Sequence, residues 1–193
     1  MRRSWPKAMR SIVRRLPGNG YELRRDLLTV VDMCCLAIRN RLTRRSVLEV
    51  TGPRVSLTTY GRRVRSVHLA IESIARGDLR PSEIVLWLDE PRAYDGPPAP
   101  IRRLMRRGLE VRLCNPIGSH AKYYPGVLSD AAAEALVTAD DDVIYPREWL
   151  SSLAHAAQDH PHDLIAFRAK GVEVFAGDLR PYVTWPDLRA DDK

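Results

Sequence analysis

Three consecutive carboxylates, Asp140-Asp141-Asp142, follow an apolar run at 134–138. Like charges a few ångströms apart raise each other's pKa and destabilise a site unless a cation sits among them. A hard divalent ion such as Mg2+ removes that repulsion. Such an ion takes one or two carboxylates, fills its octahedron with water and substrate phosphate, and neutralises charge growing on a departing phosphate. The alternative is an exposed turn whose aspartates cap the next helix, with Pro146 and Glu148 in its first turn. The apolar run before the triplet, and the residues described next, favour the metal.

Thr58-Thr59-Tyr60-Gly61-Arg62-Arg63 closes another apolar run, 54–59, with two hydroxyls and two guanidinium groups. Arg62 and Arg63 are suited to clamp a diphosphate, although at least one is expected to be a solvated first-turn residue of a helix. Asp89 ends Leu-Trp-Leu-Asp, where it accepts hydrogen bonds from a base or ribose, or else opens an ordinary Asp-Glu-Pro loop. In Ser119-His120-Ala121-Lys122-Tyr123-Tyr124-Pro125, Lys122 can meet a phosphate as a point charge and His120 can donate a hydrogen bond. The plainer reading of that stretch is a helix start capped by Ser119 with packed tyrosines. His155, His160 and His162 match no zinc spacing and read as a solvated face.

These residues need a scaffold that presents loop ends together. Apolar strand patterns at 54–59, 83–88, 109–113, 134–138 and 164–168 alternate with helical stretches near 63–76, 101–107, 119–129 and 146–158, and 172–175 reads as a weaker strand or hairpin arm. That alternation predicts an α/β fold built from βαβ units, with a mainly parallel, Rossmann-like sheet and right-handed crossovers. Ligands of such sheets bind beyond the carboxyl ends of the strands where chain order reverses. With an order beginning 3-2-1-4, the ends of the first and fourth strands face each other, setting Thr58, Thr59 and the arginines opposite the aspartate triplet.

Across the 193 residues, 45% are apolar and 28% charged, which excludes disorder over the whole length and collagen-like or coiled-coil classes. Three cysteines (Cys34, Cys35, Cys114) are too few for a disulfide framework or a four-thiolate zinc site, and a reducing intracellular setting is expected. No run of 18 uncharged apolar residues is present, and no secretory signal is expected from the opening Met-Arg-Arg-Ser-Trp-Pro. The net charge of +7 is concentrated: residues 1–50 hold twelve Lys/Arg against four Asp/Glu, while the remainder is nearly neutral. The expected organisation is a basic N-terminal arm (1–52) with one helix over 21–45, a nucleotide-binding domain (53–180) beginning after Gly52-Pro53, and a polar tail (181–193). The arm, through residues 1–45, is a candidate for peripheral contact with an anionic membrane at its cytoplasmic face. Nucleic acid is not an expected partner, since no reading helix or interleaved aromatics accompany the basic residues.

Taken in order, Val-Ser-Leu-Thr-Thr-Tyr-Gly-Arg-Arg (55–63), Ile-Val-Leu-Trp-Leu (84–88), Ser-His-Ala-Lys-Tyr-Tyr-Pro (119–125), the stretch from Val137 through the aspartates to Leu150, and Phe-Arg-Ala (167–169) resemble nucleotide-sugar glycosyltransferases of the GT-A fold, close to the family 2 type. The resemblance implies a metal-dependent transfer of a sugar from a nucleotide diphosphate donor to a saccharide or lipid-linked acceptor. It implies Asp140 and Asp142 as contacts to Mg2+ or Mn2+. Thr58, Thr59, Arg62, Asp89, Lys122, Asp140 and Asp141 become nucleotide-sugar contacts. Family members continue with a segment that shapes the acceptor site and supplies the general base. Here a short polar stretch follows Phe175, so the likeness covers the donor-binding half and the catalytic base is unassigned. A partner chain supplying the acceptor half is one expectation. The other is an inactive, truncated glycosyltransferase-like protein serving as a nucleotide-binding or regulatory subunit.

Overall fold

A computed structural model describes residues 20–127 and 135–188. The expectations for residues 1–19, for 128–134 in the third crossover, and for 189–193 of the tail lie outside the described residues. The chain divides into two compact units, one ending at Leu150 and one beginning at Ser151.

The first unit is α/β. Its sheet contains β1 (Arg54–Thr59), β2 (Ile84–Leu88), β3 (Glu110–Leu113) and β4 (Leu136–Ala139) in the order β3-β2-β1-β4, with every pair parallel. This all-parallel order is the expected 3-2-1-4, consistent with a Rossmann-like fold. Both faces of the two central strands are covered: all five residues of β2 are buried and apolar, and five of the six in β1 are buried even though Arg54, Ser56 and Thr59 among them are polar. Register follows from the pairing, with Thr59 beside Leu88 on one side and Leu57 beside Ala139 on the other.

A 3-10 turn (Gly61–Arg65) and then α2 (Val67–Ala75) cross from β1 to β2, and α1 (Gly20–Leu42) precedes the sheet. Helices α3 (Pro91–Asp95) and α4 (Ala99–Met105) cross from β2 to β3. A second 3-10 turn (Gly118–Lys122) and α5 (Tyr124–Val127) follow β3.

Helix α2 is buried almost all round, including its one charge, Glu72, which is 0% exposed. Partners from distant elements converge on that carboxylate. Arg107 donates from both terminal nitrogens, Arg39 donates from Nε at 3.1 Å, and Asn40 from Nδ2 at 3.1 Å. Asp32 receives two bonds from Arg76, at 2.5 and 2.7 Å. These contacts, with buried Leu36, fasten α1 to α2. The segment linking α1 to β1 is also held close: Glu49 N–H donates to the Pro81 carbonyl, Ser82 N–H donates to that of Pro53, and a Cβ on Gly52 would collide with the Arg80 carbonyl oxygen.

The second unit takes in most of α6 (Trp149–Asp159), then an antiparallel hairpin of β5 (Val174–Phe175) and β6 (Asp178–Leu179). Ala176 and Gly177 form its turn with φ of 52° and 90°, the left-handed pair that suits a two-residue hairpin loop. Arg168 and Lys170 meet Asp187, and Lys170 and Asp187 are joined by a single antiparallel bridge. The fifth strand expected at 164–168 does not form. Within the second unit its apolar pattern pairs with no described strand, and Leu164 and Phe167 are exposed. The apolar stretch at 172–175 does become one arm of the hairpin.

Candidate functional site

The register of β1 and β4 builds the site. Leu57 lies beside Ala139, so Thr59 and Asp141, each two residues further on, come together beyond the strand ends. Thr59 Oγ1 donates to Asp141 Oδ2 at 2.6 Å, with both residues buried. Side chains alternate along a strand, and Thr58 Oγ1 donates elsewhere, to the Trp87 carbonyl at 3.3 Å.

The three aspartates each take a different partner. Asp141 is the buried member, and its Oδ1 also accepts a bond from Arg63 at 3.2 Å. Arg63 lies 3.5 Å from Asp142 as well and stacks over the Tyr60 ring at 5.5 Å. Asp141 first, then Asp142, raise the Arg63 pKa above its ordinary value. Asp140 meets Lys122, whose Nζ lies 2.7 Å from Oδ1. Two cations within the chain thus relieve most of the repulsion of three adjacent carboxylates. Arg62 is exposed, and with Gly61 and Arg65 it lines an open depression beside the site.

The supports of this rim are local. Ala121 is buried against Val85 and Trp87, which seats the 3-10 turn carrying Lys122. His120 Nδ1 lies 2.6 Å from the Tyr123 hydroxyl, so the imidazole engages its own turn. Tyr145 braces the aspartate turn from below. Its hydroxyl accepts the Asp140 N–H at 2.7 Å, its own N–H donates to Ser73 Oγ of α2 at 2.9 Å, and its ring packs on Trp149 at 4.1 Å between centroids. Burial pushes the Tyr145 hydroxyl up to about 12, so it stays protonated at neutral pH.

On the β2 side, Glu90 Oε1 accepts the Gly61 N–H at 2.8 Å, tying the loops after β1 and β2 together. Asp89, one residue beyond β2, has a buried Oδ1 with no hydrogen-bond partner. Burial, and then the Asp89 charge, raise the pKa of the Cys114 thiol. A buried carboxylate oxygen without a donor costs on the order of 1–3 kcal/mol and invites a ligand that supplies one.

Among the sequence-derived candidates, Thr59, Lys122, Asp140, Asp141 and Asp142 therefore form one connected cluster. Thr58 faces β2, Asp89 stands at the neighbouring strand end, and Arg62 stays in solvent. Of the two arginines, Arg63 is the one that reaches the aspartates. Tyr145 and Ser73 were not singled out from sequence; a tyrosine three residues after the triplet, in an apolar Val-Ile-Tyr-Pro stretch, was the available signal.

Among the described residues, no three His, Cys, Asp or Glu side chains converge as a metal-binding group. The donor chemistry of Asp140 and Asp142 nevertheless suits a hard divalent ion. Their side chains are 58% and 56% exposed, they supply oxygen ligands, and such an ion takes as few as one or two carboxylates. Compared with family models, curated proteins and solved structures, the chain matches none.

Proposed function

We propose that the crevice between the carboxyl ends of β1 and β4 binds a nucleotide diphosphate sugar, and that the protein is a metal-dependent glycosyltransferase of GT-A type or its donor-binding half. The observation that carries this reading is the cluster itself: Thr59, Arg63, Lys122 and the aspartate triplet gathered at a switch point of a parallel sheet, beside the undonated Asp89 oxygen.

Each residue has a definite task in this reading. Asp89 accepts a hydrogen bond from a ribose hydroxyl or base N–H. Asp141, held by Thr59 and Arg63, fixes the turn rather than meeting ligand directly. Asp140 and Asp142 would hold Mg2+ or Mn2+, which supplies Lewis-acid neutralisation of a diphosphate. When those carboxylates are so occupied, Lys122 is released to the phosphate oxygens, where a cation stabilises a leaving diphosphate, while Arg63 stays on Asp141. Arg62, already in solvent at the same edge, adds a further guanidinium for the phosphates. The acceptor would be a saccharide or a lipid-linked sugar.

A second reading rests on the same ion pairs. Because Lys122 and Arg63 already balance two of the three carboxylates, a nucleotide-binding or regulatory subunit without turnover needs no metal to keep this rim folded.

Titrating UDP-, GDP- and dTDP-sugars with and without Mn2+, in wild type and Asp140→Ala/Asp142→Ala, tests the assignment. Binding strengthened by Mn2+ and lost in the double variant supports the glycosyltransferase. Metal-independent binding that survives the double variant, without nucleoside diphosphate release, supports the regulatory subunit. Absence of nucleotide binding removes both.

A further inference from the structure

Helix α1 turns a long apolar face to solvent. Leu36, Asn40 and the ion pairs of Asp32 and Arg39 hold one side on α2, whereas Val30, Met33, Ile38 and Leu42 are 54%, 38%, 56% and 76% exposed. Cys34 is exposed too. It lies four residues after Val30 and four before Ile38, on the same face by helical spacing. A contiguous exposed apolar face marks an interaction surface.

Arginines from two elements gather at the end of this face. Arg41 is in the last turn of α1. Beyond it, Val47 N–H donates to the Arg107 carbonyl at 2.9 Å, and Arg107 Nε donates to the Arg45 carbonyl at 2.8 Å. Those bonds bring exposed Arg44 and Arg45 alongside exposed Arg106, which follows α4.

We propose that α1 docks on an anionic lipid surface, with Val30, Met33, Cys34, Ile38 and Leu42 seated at the headgroup–acyl boundary and Arg41, Arg44, Arg45 and Arg106 on headgroup phosphates. Charge complementarity selects this partner. Arg41, Arg44, Arg45 and Arg106 are all exposed, so a second copy on the same face would set like charges against each other. No helix among the described residues is long and apolar enough to cross a membrane, so α1 lies in the interface plane. The docking is independent of the nucleotide crevice.

Flotation of the full chain with phosphatidylcholine vesicles, with and without about one third phosphatidylglycerol, tests it at about 0.05 and 0.5 M NaCl. Binding is expected with the anionic vesicles alone and should fall at high salt. Arg44→Ser/Arg45→Ser/Arg106→Ser should weaken it on the order of a hundredfold, and Val30→Asp/Ile38→Asp should abolish it. Both sets change exposed positions, and circular dichroism verifies that they fold. A polarity-sensitive dye on Cys34, in a Cys35→Ser/Cys114→Ser chain, should shift to the blue with anionic vesicles. Binding to neutral vesicles equally well, no binding, or variants that behave as wild type would overturn the proposal. So would a concentration-dependent dimer in sedimentation that Val30→Asp/Ile38→Asp dissolves, or preferential capture of the arginine cluster by RNA.

Discussion

Replacing Thr59 by Val removes one hydroxyl and little volume, which isolates the contact that joins β1 to the aspartate turn. Asp141 is 6% exposed, and its Oδ2 has the Thr59 hydroxyl at 2.6 Å, while Arg63 serves Oδ1 at 3.2 Å. The valine methyl leaves Oδ2 of a buried carboxylate without that donor. Hydrogen bonds to charged groups contribute about 1.5–3 kcal/mol, and an orphaned buried acceptor costs a similar amount, so a loss of about 2–3 kcal/mol is expected. For a chain of this size each kcal/mol moves Tm by roughly 2–4 °C, giving a fall of about 4–12 °C. Urea unfolding should show a lower midpoint at unchanged slope. In a double-mutant cycle with Asp141→Ala the two changes should couple by about 1–2 kcal/mol, since each removes the same contact. A loss below about 0.5 kcal/mol together with additive effects would contradict this role for the hydroxyl, because it would mean that Asp141 is satisfied without it.

Other perturbations have equally definite outcomes. Glu72→Gln leaves Arg107 facing a neutral partner in a buried setting and should cost about 3–5 kcal/mol in urea unfolding; an effect near zero would show that the network adds nothing. Burial lowers the His68 pKa, outweighing a backbone hydrogen bond at Arg65, so the folded state binds fewer protons than the unfolded one. Stability attributable to His68 is therefore present above its unfolded pKa of about 6.5 and is lost as pH falls through the lower folded value. His68→Leu should flatten that part of a stability–pH profile. Tyr145→Phe removes the acceptor for the Asp140 N–H and should cost about 1 kcal/mol of stability while weakening nucleotide binding further, as read by unfolding and calorimetry. Because the Tyr145 hydroxyl is raised to about 12, its stabilisation is present below pH 10 and lost as pH climbs towards that value, and the variant should lose less stability over this alkaline range.

Much of the first unit was legible because its strands announce themselves. The run 54–59 became β1 without adjustment, and the pattern at 83–88 yielded β2 at Ile84–Leu88, all apolar because both its faces are covered. Alternation with helices implied a parallel sheet but not its strand order; the order β3-β2-β1-β4 seen in the structure sets Thr59 and the aspartates on facing ends. What stayed illegible depends on partners far away in sequence. Nothing local marks Glu72 as buried; Arg39, Asn40 and Arg107, 32 to 35 residues distant, make it so. Likewise, no spacing rule distinguishes Arg63 from Arg62, or Asp141 from its neighbours, because the choice is made by which side chain the turn points inward. The apolar pattern at 164–168 misled for the same reason: period reports a segment's readiness to pair but not the presence of a neighbour.

Whether the crevice is a nucleotide diphosphate site is decided by backbone amide mapping by NMR during titration with UDP and Mg2+, repeated with GDP and dTDP. The prediction is a saturable set of shifts with at least one nucleotide, centred on Thr59, Gly61, Arg63, Asp89, Lys122 and Asp140–142, diminished in Lys122→Ala. Shifts confined to other surfaces, or none with any of the three nucleotides, would contradict it.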